Sequence, residues 1–308
     1  MSMDTQGEKA QPLTTQITSA PLWFVLPAVL TLMYTCTRVA YPLDFWHQVA
    51  TGELVWLGGG VPTHDTFSYT IGGEPVVNQN WLAQLGFYWL HRCGGFALAQ
   101  FAAGLCYAGA VLILTRLAWR RCGNVYVASG LGIVALAMAA SNLTVRPQAI
   151  SVPLFCIELY ALYQWPGRWR TVAVVAAVEL LWTNTHGAFP LGIVLPGMFL
   201  AAALWQASRE GGIRRIVSDR VTQVYLVCVL VGLVVMFCNP HPHKTLDYVF
   251  GVVSKAPQRQ IGEWLPTAAG SHSGIAYAGS IGLVLITLGL SRKRLEPVDL
   301  ILLVSFAI

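Results

Sequence analysis

A chain of 308 residues that is 55% hydrophobic and only 11% charged is not built like a soluble domain, in which about a quarter of residues are charged. Its long apolar runs predict an all-α polytopic membrane protein. The formal net charge of +5 comes from small basic clusters beside those runs, which excludes a nucleic-acid surface, and the seven cysteines lack metal-type spacing.

Residues 1–20 form a polar tail without the basic start of a cleaved signal, and the apolar run behind it reads as an uncleaved signal-anchor. Spans are expected at 21–40, 96–119, 125–142, 148–163, 171–182, 189–206, 221–238 and 275–290, with a ninth beginning at Val298. Together with residues 21–308 as one transmembrane domain, this is a bundle of about eight or nine helices. The apolar stretch from Leu300 to Ile308 rises only roughly 14 Å, against a hydrocarbon core of about 30 Å. The expectation is therefore that the chain is truncated within its ninth span.

The connectors orient the spans. Arg116, Arg120 and Arg121, then Arg168 and Arg170, then Arg209, Arg214, Arg215 and Arg220, then Arg292, Lys293 and Arg294 all fall on one side if the spans alternate. By the positive-inside rule that side is the cytoplasm, and the N-terminus shares it. The first outer loop (41–95), the turns at 142–147 and 183–188, and the last outer loop (239–273) then face outward.

The first outer loop holds most of the polar chemistry. Asp44, His47, Gln48 and Thr51 share one helical face, while Phe45, Val49, Gly52 and Trp56 share another. A helix with these two faces is expected to lie in the bilayer interface, its rings among headgroups and its polar groups turned to water. A second amphipathic helix is expected from Trp81 to His91, stopped by Gly94-Gly95. In the last outer loop a helical stretch is expected near 245–254.

Several side chains have two readings. Asp44, just outside the first span, could serve as a general base for an acceptor hydroxyl or as an ordinary N-cap of the helix beginning at Phe45. His47 and His64-Asp65 could join Asp44 at a divalent metal, which nothing in the spacing requires. Arg146 sits in a short outer turn against the positive-inside bias, as expected for a phosphate ligand or for a partner of Glu158. His186, in a similar turn with Asn184 and Gly187, could line the same cavity or cap a helix. Glu158 and Glu179 lie inside spans and must face protein or water. Trp264 reads equally as an interface anchor and as a substrate platform.

These residues together resemble bacterial GT-C-fold membrane glycosyltransferases, the group related to dolichyl-phosphate-mannose protein mannosyltransferases. The matching features are Asp44-Phe45-Trp46-His47 with Gly52 downstream and the run Pro62-Thr63-His64-Asp65-Thr66-Phe67-Ser68-Tyr69. They continue through Asn78-Gln79-Asn80-Trp81, Arg146-Pro147-Gln148, Asn184-Thr185-His186-Gly187, Asn239-Pro240 and Glu263-Trp264. The series runs across most of the chain. The resemblance implies a GT-C-like bundle with interfacial helices in the first outer loop and a location in the bacterial inner membrane. It also implies a polyprenyl-phosphate sugar as donor, Asp44 as the catalytic base and Arg146 near the donor phosphate. His47, His64, Asp65, Asn80, Trp81, His186 and Trp264 would then line the substrate site. The chain departs from the pattern at Gln79-Asn80, where relatives often carry His followed by Glu. The competing expectation is a non-catalytic membrane subunit or transporter that keeps the scaffold; against a transporter stands the lack of internal repeats.

Overall fold

The computed structural model describes residues 19–39, 44–70, 72–255, 268, 270–291 and 295–307. The expectations for the N-terminal tail and for Trp264 fall outside them. The regular secondary structure of the described residues is helical, apart from one isolated bridge between His64 and Pro75. In chain order the helices are α1 (Ala20–Thr37), α2 (Phe45–Gly58), α3 (Trp81–Cys122), α4 (Val125–Ala139), α5 (Gln148–Gln164) and α6 (Trp169–Trp182). They continue as α7 (Leu191–Ser218), α8 (Arg220–Val235), α9 (Thr245–Lys255), α10 (His272–Leu290) and α11 (Pro297–Ala307).

Among the described residues, four helical segments are long and apolar enough to cross a membrane: Ala20–Thr37, Trp81–Cys122, Val125–Asn142 and Leu191–Gly212. Arg220–Val235, Gly274–Leu290 and Pro297–Phe306 are apolar but shorter. The bundle's exterior is itself apolar, with Leu22, Met33, Val234, Leu285 and Leu290 well exposed. Such a surface suits lipid.

Helices α1, α3 and α4 pack together, tied by side chains that donate to backbone carbonyls. Gln100 donates to the carbonyls of Thr35 (2.6 Å) and Arg38 (3.2 Å), and Arg38 donates to the Ala140 carbonyl at 2.7 Å. A second group, α5 to α8, closes around Leu162, Val175, Leu195, Val224 and Cys228. Tyr225 locks it by donating to the Leu162 carbonyl at 2.9 Å.

The amphipathic helix expected from Trp81 to His91 is present, and its helical backbone is interrupted at Gly94-Gly95 as expected. Both glycines leave helical geometry, Gly94 at φ −157° and Gly95 at φ 65°, ψ −163°, and a second helical half of α3 follows at an angle. The first half of α3 thereby leaves the line of its second half and meets α2. Phe45, Ala83, Phe87, Ala99, Tyr107, Leu143 and Val145 bury one another at this junction. The approach is close because Gly52 has no side chain: a Cβ there would collide with the Gln84 carbonyl and stand 2.9 Å from Tyr88 Cβ.

The orientation of α2 corrects part of the expectation drawn from its two faces. Phe45, Gln48, Thr51, Gly52 and Val55 are the buried residues, while Trp46, Trp56 and Leu57 are exposed. Gln48 and Thr51 of the polar stripe face protein while Asp44 and His47 stay exposed, and of the other face Phe45 is buried while Trp56 points out. Periodicity finds the face of a helix; only the neighbouring α3 decides which way it turns.

Candidate functional site

The N-terminus of α2 meets the turn between α4 and α5. That turn begins in a short 3-10 segment, Ala140–Asn142, and buries Leu143 and Val145 against Phe45 and Tyr107. Tyr107 donates to the Thr144 carbonyl at 2.9 Å, and Gln148 Nε2 lies 3.2 Å from Thr144 Oγ1. So pinned, the turn projects Arg146 onto Asp44, with Nη2 3.0 Å from Oδ2. The guanidinium is 15% exposed and the carboxylate 53%, so the pair is open to one side. Asp44 occupies the N-cap position of α2, yet its side chain makes no capping hydrogen bond. Of the two readings of Asp44, side-chain capping is thus unused, and the carboxylate is committed to Arg146. Arg146 pairs with Asp44 and not with Glu158.

One turn into α2 a cavity of about 210 Å³ opens, lined by neither Asp44 nor Arg146. His47, Gln48 and Thr51 enter it from α2, His64, Asp65 and Phe67 from the following loop, and Asn80, Gln84 and Tyr248 from α3 and α9. His47, His64, Asp65 and Asn80, singled out from sequence, are therefore brought together. Gln84 and Tyr248 were not singled out. Gln84 falls one turn after Asn80 on the amphipathic stretch, a spacing that could have found it. Tyr248 arrives from a distant loop with no local signal.

The chemistry of this cavity is that of neutral hydrogen bonding. Asn78 donates to Gln84 Oε1 at 2.7 Å. Gln48 Oε1 and Asn80 Oδ1 are buried without a partner among the described residues, acceptors that a ligand's hydroxyl donors would satisfy. The single carboxylate is occupied: Asp65 accepts from the backbone of Ser68 (2.7 Å) and Phe67 (3.0 Å) and from the Ser68 hydroxyl (2.8 Å). Those Ser68 and Phe67 donors, with His47 nearby, hold its pKa below the usual carboxylate value. Asp65 therefore shapes the loop that carries His64 and Phe67. No three His, Cys, Asp or Glu side chains among the described residues gather as a metal site.

Trp81 and His186 belong to a neighbouring lattice and do not line the cavity. Trp81 donates its indole N–H to Asn184 Oδ1 at 2.9 Å, and Asn184 donates to the carbonyls of Leu180 and Cys238, each at 2.8 Å. Gln79 donates to the Thr183 carbonyl. His186 Nδ1 lies 2.8 Å from Ser151 Oγ, which also accepts from the Trp182 indole at 2.8 Å. Gly187 gives Tyr248 room, since a Cβ there would collide with its hydroxyl. The turn at 183–187 thus ties the start of α3, the end of α8 and α9 to one point.

Burial lowers the pKa of His186 to about 4, against about 6.5 for an exposed imidazole. The folded value is the lower one, so the unfolded chain takes up the proton first as pH falls. The stability held by neutral His186 is complete above pH 6.5 and is lost progressively as the pH falls to about 4. The loss is expected to be on the order of 2–3 kcal/mol. Thermal unfolding between pH 8 and 4 should therefore fall more steeply in the parent than in His186→Gln. Parallel pH curves would remove His186 from the acid response.

Glu158 of α5 and Glu179 of α6 are fully buried, and neither carboxylate has a hydrogen-bond partner among the described residues. They meet across Gly192, where a Cβ would collide with Glu179 Oε2 and lie 3.3 Å from Glu158 Oε2. This pair is separate from the cavity and contributes nothing to its lining.

Compared with known proteins, the chain matches no family model, no curated protein and no solved structure. The functional reading therefore rests on the site itself.

Proposed function

We propose that this protein is a membrane glycosyltransferase that moves a sugar from a polyprenyl-phosphate donor to an acceptor hydroxyl on the non-cytoplasmic face. The proposal includes the finer architecture: a GT-C-like bundle of about eight or nine spans in a bacterial inner membrane, with the N-terminus cytoplasmic. The observation that carries it is the half-open Asp44–Arg146 pair at the N-terminus of α2, the helix whose next turn enters a cavity lined by amides and rings. In this reading the acceptor oxygen attacks the anomeric carbon while its proton passes to the Asp44 carboxylate. The bond from the anomeric carbon to the phosphate oxygen breaks, with inversion. Arg146 stabilises the polyprenyl phosphate that leaves, through a fork suited to phosphate oxygens. The unpartnered acceptors Gln48 Oε1 and Asn80 Oδ1 receive sugar hydroxyls. No metal is required by this scheme, and the acceptor is a glycan, lipid or protein hydroxyl.

One observation favours the rival reading of a non-catalytic membrane subunit. Asp65 is consumed by its own loop and an amide stands at Asn80, so the lining of the cavity offers no free carboxylate. Donor binding separates the two. Affinity for a labelled polyprenyl-phosphate sugar should fall in Arg146→Lys and further in Arg146→Ala. The loss on Ala should reach roughly tenfold to a hundredfold, as for a charge-assisted hydrogen bond. Equal binding by all three proteins would take Arg146 out of the site.

A further inference from the structure

Towards the other end of α3 from the amide-lined cavity lies a second opening, a groove of about 390 Å³. Phe24 of α1, Ile113 of α3, and Ile157 and Tyr160 of α5 form its apolar walls, with Trp165 beside them. Ile157 is 37% exposed, so the groove opens to the bundle's exterior. Its one charged lining residue is Arg116. The guanidinium carbon of Arg116 lies 5.9 Å from the ring centre of Phe24 and 5.2 Å from that of Trp119. No carboxylate pairs with Arg116 among the described residues.

The surroundings add positive charge. Arg120, one turn on, donates to the neutral Gln164 Oε1 at 2.7 Å, and Arg170 stacks over Trp165 at 4.2 Å. Of these arginines only Arg121 is matched among the described residues, by Asp299 at 2.6 Å and Glu296 at 3.9 Å. An apolar slot ending in an unneutralised guanidinium asks for a ligand that is a hydrocarbon chain at one end and an anion at the other. We propose that this groove holds one anionic phospholipid, an acyl chain along the apolar wall and the phosphate on Arg116. The fork of Arg116 supplies parallel N–H donors to phosphate oxygens. The clustered arginines favour a lipid of net negative charge over a zwitterionic one of the same chain length. The inference is independent of the glycosyl-transfer reading, because neither Arg116 nor the groove takes part in that site.

The test uses the full chain purified in detergent and incubated with phosphatidylglycerol or phosphatidylcholine of identical acyl chains. Retained lipid is counted by native mass spectrometry. One phosphatidylglycerol should survive delipidation, held about tenfold more tightly than phosphatidylcholine. Arg116→Gln should lose that preference, and Ile157→Trp should lose the lipid by filling the slot while the guanidinium stays. Equal retention of the two lipids by the parent would overturn the proposal, whatever the fate of the variants, by showing an exchangeable lipid shell. Undiminished retention in folded Arg116→Gln would also overturn it, as would displacement of the phospholipid by a lower concentration of polyprenyl phosphate.

Discussion

Asp44→Asn is expected to cut sugar transfer by about 10²- to 10⁴-fold while leaving the fold in place. The rate figure is the usual worth of general-base assistance. The stability figure follows from the geometry. Asp44 is half exposed and makes no side-chain cap, so its visible role in the fold is the pairing with Arg146. An ion pair that open contributes about 0.2–1 kcal/mol, and Asn can still accept from the guanidinium. Asp44→Ala should transfer as poorly as Asp44→Asn. A purely structural pair predicts otherwise: activity would follow thermal stability, with Asn near the parent. Transfer at the parent rate by a normally folded Asn variant would end the catalytic role of Asp44.

Gly52→Ala is expected to destabilise the protein by about 2–3 kcal/mol, towards the upper end for overpacking. The added methyl would meet the backbone of Gln84 and Tyr88 Cβ, and neither can rotate away. Because α2 carries Asp44, His47, Gln48 and Thr51, lifting it from α3 should also lower donor binding. Gly86→Ala is the control, on α3 with no atom within 4 Å of a new Cβ. Freed from contact, it should be neutral or stabilise by about 0.5–1 kcal/mol, as an alanine does in a helix interior. Equal thermal shifts in the two variants would deny the close α2–α3 packing that shapes the cavity.

The helices themselves were legible because apolar runs, glycine pairs and basic clusters are local signals. The kink at Gly94-Gly95 is where a helix stop was read, and the stretch near 245–254 appears as α9 (Thr245–Lys255). Span counting was less secure for a physical reason. Helix α6 has 14 residues, a rise of about 21 Å against a core of about 30 Å, so its apolarity alone does not carry it across. The site was legible as residues and not as contacts. Asp44 and Arg146 each stood out by position, but their pairing depends on Leu143, Val145 and Phe45 packing across distant parts of the chain. Tyr248 and Ser151 escaped notice because their roles come from what the 183–187 turn presents to them.

The account turns on whether this bundle moves a sugar at all. The most direct measurement reconstitutes the full-length parent in lipid vesicles with a polyprenyl-phosphate donor labelled in its sugar, together with extracts containing glycan, lipid and protein acceptors. The account predicts that label leaves the lipid-linked pool and appears covalently on an acceptor, with free polyprenyl phosphate formed in equal amount. A folded parent that binds the donor and leaves all of the label on the lipid would contradict it.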